Sequence, residues 1–139
     1  ITFPKHPINT YLFQTCTLPD IEIDQVAHGD VNRDVKTAGR VTVGNLVVGK
    51  LLTTAGSDTW LHDWLYSCQD MIAGGGLVPS QYWENVIVNE LAEDGVSVLN
   101  THFFEEVWPC KITGLDLDRM ASENTIESIE FSVGTVDKY

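Results

Sequence analysis

The chain has 139 residues, 43% hydrophobic and 20% charged, which fits one globular domain over residues 1–139 and argues against a disordered chain. Twenty acidic against eight basic residues leave a net charge of −12, which opposes any grip on nucleic acid through neutralised phosphates. No apolar run reaches the roughly 18–20 residues of a bilayer span and no secretory signal opens the chain, so no membrane anchor is expected.

The first residue is Ile1 rather than Met, and a processed or longer N-terminus is expected. Residues 9–18 (NTYLFQTCTL) are apolar and β-prone up to Pro19. PDIEIDQV then alternates Ile21 and Ile23 with Asp20, Glu22 and Asp24, the period-two pattern of a strand with one apolar and one acidic face. HGDVNRDVKTAGR is polar, with two glycines, and reads as the far end of an extended hairpin. RVTVGNLVVGKLLTT is the next long apolar run, read as one strand with a bulge at Gly44–Asn45. Such a bulge shifts the side-chain phase by one and sets Val43, Leu46, Val48 and Leu52 on a common core face. Gly49 and Lys50 then mark a close backbone approach and the point where the strand meets solvent or another copy of itself.

One helix is predicted next. Trp60, Leu61, Trp64, Leu65 and Cys68 form a single apolar stripe, with His62, Asp63, Gln69 and Asp70 on the other side. Ser57 or Asp58 caps its start, and Gly74–Gly75–Gly76 ends it. Beyond Pro79, QYWENVIVNELA and VSVLNTHFFEEVW flank a hairpin turn at Glu93–Asp94–Gly95. GLDLDRM and SIEFSV follow as further strands around a polar turn at Ser122–Glu123–Asn124. The expected fold is mainly β, an antiparallel sandwich or barrel with one flanking α-helix.

Motifs that suggest chemistry do not survive their context. GNLVVGK is close to a phosphate-binding loop, but such a loop turns sharply from a strand into a helix, and here β-formers continue on both sides. His62 and Asp63 are adjacent on a helix and His102 and Glu105 fall on opposite faces of a strand, so both histidines read as surface groups. Glu105–Glu106 diverge, and Asp116 with Asp118 has no apolar pocket to raise a carboxyl pKa. No catalytic residue, metal or cofactor is expected. Cys16, Cys68 and Cys110 are an odd, widely spaced set, expected as reduced and mostly buried thiols, with pairing between subunits as the alternative. Asp116, Asp118 and Glu130 share a property instead, for each lies on the polar side of a strand whose other side is apolar.

The order of these motifs resembles the tail tube proteins of contractile-tailed phages, a family related to the tubes of contractile injection systems. The resemblance rests on the Leu18–Pro19 break after the Phe13–Cys16 strand, on Asn32–Arg33 with Ala38–Gly39 in the hairpin, and on the Trp64 helix after a long strand. It rests also on VWPCKITGLDLDRMASENTIESIEFSV, and it runs from about residue 12 to the end. A strand usual before residue 9 is missing or very short here, and Gly44, Gly49 and Lys50 interrupt a strand that is plainer in the family.

The resemblance implies hexameric rings stacked into a hollow tube, with sheath, baseplate, tape-measure and tail terminator proteins as partners. Viral DNA would pass through the tube without specific binding. The place of action would be the virion tail, assembled in the host cytoplasm. Asp116, Asp118 and Glu130 are then candidates for a net-negative lumen wall, and Asn32, Arg33, Lys36, Ala38 and Gly39 for contacts between subunits and rings. Trp60, Leu61, Trp64 and Leu65 would form the core side of the flanking helix. Other readings are an inner-tube subunit of a secretion-type system, a baseplate-proximal tube ring and, more remotely, a small hydrolase or ligand-binding β-barrel.

Overall fold

A computed structural model describes residues 1–6, 13–51, 59–114 and 126–138 of the chain. Two antiparallel sheets carry it. The larger contains β1 (Phe13–Thr17), β4 (Leu46–Leu51), β7 (Ile126–Ser132), β6 (Val98–Ile112) and β5 (Glu84–Leu91), in that spatial order, with β8 (Thr135–Lys138) also on β6. The smaller is a hairpin of β2 (Ile21–Gly29) and β3 (Asp34–Val43). Helix α1 (Trp60–Cys68) packs against β6, and a single turn, α2 (Pro79–Tyr82), stands where strand was expected to resume directly after Pro79.

The run from Arg40 to Leu51 is two strands in two sheets, not one bulged strand. β3 ends at Val43, the Gly44 amide donates to the Asp20 carbonyl at 2.8 Å, and β4 begins at Leu46. The phase shift is nonetheless present. Leu46 and Val48 are fully buried and Val43 packs on the same core, while Leu52 lies outside the described residues. Both edges of β4 are filled within the chain, by β1 and by β7, so its partners are not other copies.

Lys50 corrects a further expectation. It follows Leu46 and Val48 on the inner face and is 1% exposed rather than solvated. A buried ammonium needs a counter-charge, and Glu127 directly across on β7 supplies it, 3.5 Å from Nζ. Gly49 does mark a close approach, because a Cβ there would collide with Thr15 Oγ1 of β1.

β6 runs through both halves of the larger sheet. Its first half pairs with β5 and β8, and Trp108–Ile112 pairs with β7. Glu106, at φ 55°, bulges the strand between these halves, opposite Gly134, where β7 gives way to β8. Phe3 is the central plug. Thr2 exchanges two backbone hydrogen bonds with Ile87 on the outer edge of β5. The Phe3 ring lies 5.1–5.6 Å from those of Phe13, Trp60 and Phe131, which brings the two ends of the sheet around one aromatic cluster.

Candidate assembly surface

Among the described residues, the β2–β3 hairpin is one of the parts whose apolar groups the fold does not bury. Every residue of β2 is exposed, and β3 is exposed up to Thr42. Cross-strand neighbours share a face, and Ile21 opposes Val43 while Ile23 opposes Val41. The base of the hairpin thus has one apolar face, with Glu22 and Asp24 on the other, as the alternation predicts. Ile21, Ile23 and Val41 retain 57%, 52% and 54% exposure. A two-stranded ribbon is marginal alone in water, and this one leaves its branched apolar side chains about half exposed among the described residues.

The register slips between Ile23 and Gln25, so that β3 bulges at Gly39–Arg40 opposite Asp24. At Gly39 a Cβ would sit 3.0 Å from the Asp24 carbonyl oxygen and 3.1 Å from Val26 Cγ2, tight enough to favour glycine. Ala38 faces the same side as Ile23 and Val41, as does Lys36. Beyond the bulge the apolar groups of the opposite face are Val26 and Val35. Asn32 and Arg33 occupy the exposed end turn, where the Asp30 amide donates to the Arg33 carbonyl at 2.9 Å and the Val31 amide to Asp30 Oδ1 at 2.7 Å.

The sheet face proposed as acidic is only partly described. Asp116 and Asp118 lie outside the described residues. Glu130 projects with Ser128 and Ser132, opposite buried Ile129 and Phe131. It accepts from Lys111 Nζ at 2.9 Å and from Asn45 Nδ2 at 3.3 Å. The Lys111 bond, then the Asn45 bond, hold its carboxyl below the usual range. The described part of this face therefore carries an ion pair, not a bare negative charge.

In α1, Leu61 and Trp64 are buried, Trp60 packs partly on the core, and Leu65 is half-buried beside Tyr66, Cys68 and Trp108. Thr59 stands at the N-cap without a side-chain cap bond, and the expected caps Ser57 and Asp58 lie outside the described residues. His62 meets Glu127 at 3.1 Å rather than Asp63. His102, expected at the surface, is 8% exposed, and its Nε2 lies 2.6 Å from Glu90 Oε1, because its phase on β6 is that of buried Phe104. Cys16 is exposed, while Cys68 and Cys110 are half-buried, so the thiols are less buried than expected; all three are free. Among the described residues no cluster of three His, Cys, Asp or Glu is placed to hold a metal. No helix among them is long and apolar enough to cross a membrane.

Residues 4–136 match the family described as T4-like virus tail tube protein gp19. The chain belongs to this family. No curated protein sequence matches it, but solved structures share the tube fold. The anti-feeding prophage cap (AFP tube terminating cap) aligns with a TM-score of 0.75 at 17% identity, over 91% of this chain and 79% of that one. The sheath–tube complex of the extracellular contractile injection system PVC, in the extended state, gives 0.73 at 20% identity, over 91% and 80%. The sheath/tube terminator of the same system gives 0.73 at 17% identity, over 91% and 84%.

Proposed function

We propose that this chain is the structural, non-enzymatic subunit of a phage tail tube, in which hexameric rings stack into a hollow tube and viral DNA passes through without specific binding. The observation that carries the reading is the β2–β3 hairpin, a ribbon outside the core with Ile21, Ile23 and Val41 half exposed. Burial of apolar area against a second copy stabilises it by about 25 cal/mol per Å². The sheet edges add support. Among the described residues β1 pairs on one side only, and the outer edge of β5 carries a single bridge to Thr2, so strands of neighbouring copies can extend the sheet around a ring.

The proposed partners are further copies, a sheath, a terminator, the baseplate and a tape-measure protein. The proposed place is the virion tail, assembled in the host cytoplasm. Negative-stain microscopy of the purified protein at rising concentration tests this function; rings and then tubes are expected, and persistent monomers would overturn it. A second reading, the inner tube of an injection system that conducts cargo other than DNA, draws support from the Lys111–Glu130 pair, which leaves that face less hostile to polypeptide.

A further inference from the structure

The N-terminal segment, α1, α2 and the start of β5 line an open cleft of about 320 Å³, bounded by Trp60, Trp64, Tyr82, His6, Asp63 and Glu84 among others. Trp60 and Trp64 lie nearly parallel, 6.3 Å apart at their centroids. Glu84 is the unusual member. It is 9% exposed, and its Oε1 is 3.5 Å from Lys5 Nζ and 3.7 Å from His6 Nε2. Its Oε2 is buried with no hydrogen-bond partner, and so is Trp60 Nε1. A desolvated carboxylate oxygen without a donor is costly. A carboxylate set among indole faces is the chemistry that receives a cation, through ring quadrupoles and charge-assisted hydrogen bonds.

We infer that this cleft receives the Arg33 guanidinium of a second copy of the chain. The inference rests on the self-assembly proposed above and names one contact within it. Among the cations with described side chains, Lys5, Lys50 and Lys111 already face Glu84, Glu127 and Glu130. Arg33, Lys36 and Arg40 form no ion pair with a described residue, and all three are on the hairpin. Arg33 stands in the end turn, and a strand of nine residues carries that turn about 30 Å from its base. No hairpin residue lines the cleft of its own chain. A planar guanidinium can lie on an indole while giving separate N–H groups to the Glu84 and Asp63 carboxylates that line the cleft, which an ammonium does less well.

A double-mutant cycle on assembly tests the contact. The threshold concentration for tubes is measured by sedimentation for the wild type, Arg33→Ala, Glu84→Gln and the pair. Each single change is expected to raise the threshold about ten- to a hundredfold, and the pair little further. Near-ultraviolet circular dichroism checks that Glu84→Gln folds, and Asp63→Asn on the exposed side of α1 replaces it if it does not. Additive effects, no effect of Arg33→Ala, or an equal loss from Lys36→Ala would each overturn the inference. A wild type that forms no tubes overturns the proposed function instead, so the two failures are distinct.

Discussion

Lys50 shows how one residue can contradict its neighbourhood in sequence and satisfy it in space. Its ammonium sits among buried side chains of β4, with Glu127 at 3.5 Å, and Glu127 in turn meets His62 at 3.1 Å. Removing one partner from a buried pair leaves a charge without compensation, at a cost of about 3–5 kcal/mol. Lys50→Met should therefore lower the urea midpoint of unfolding by that much stability, although it adds apolar surface; an unchanged midpoint would mean that water reaches Glu127. The sequence puts Lys50 where its strand meets solvent or another copy, because the reason it is tolerated inside lies 77 residues away. Glu84 was illegible for the same reason, since His6, Trp60 and Tyr82 come from separate segments.

At the scale of elements, the hairpin and α1 were readable because each has a strict local period. Ile21 and Ile23 alternate with acids, and Leu61 and Trp64 recur at helical spacing. The break at Gly44–Asn45 was visible as a change of phase, yet a phase change does not reveal that the chain moves to another sheet. That choice is made by β1 and β7, which take both sides of β4. The exposed base of the hairpin makes a direct prediction. Ile21→Ser with Ile23→Ser should leave monomer stability within about 0.5 kcal/mol in urea, because neither side chain is buried there. The same pair should raise the concentration for tube formation at least about tenfold in sedimentation velocity. Equal assembly would place the hairpin away from subunit contacts.

For the whole molecule, the net charge of −12 suits the proposed passage of DNA. A tube for DNA benefits from walls without cationic footholds, since every neutralised phosphate adds salt-dependent binding. Glu130 is already compensated by Lys111, so in the proposed tube Asp116 and Asp118 are the candidates left for this role. Replacing both by Lys should leave tubes intact by microscopy and slow DNA delivery in an ejection assay. Loss of polymerisation would make them interface residues.

The unburied hairpin has a consequence in time as well as in space. In the proposed tube, a ribbon that the subunit's own core does not hold leaves part of its ordering cost to the encounter with another copy. The first few contacts then cost more than they return, while every later subunit meets a surface already set. Growth of this kind has a lag and a threshold, and it is shortened by any preformed ring offered as a seed. The subunit would stay dispersed in bulk and polymerise where such a template waits.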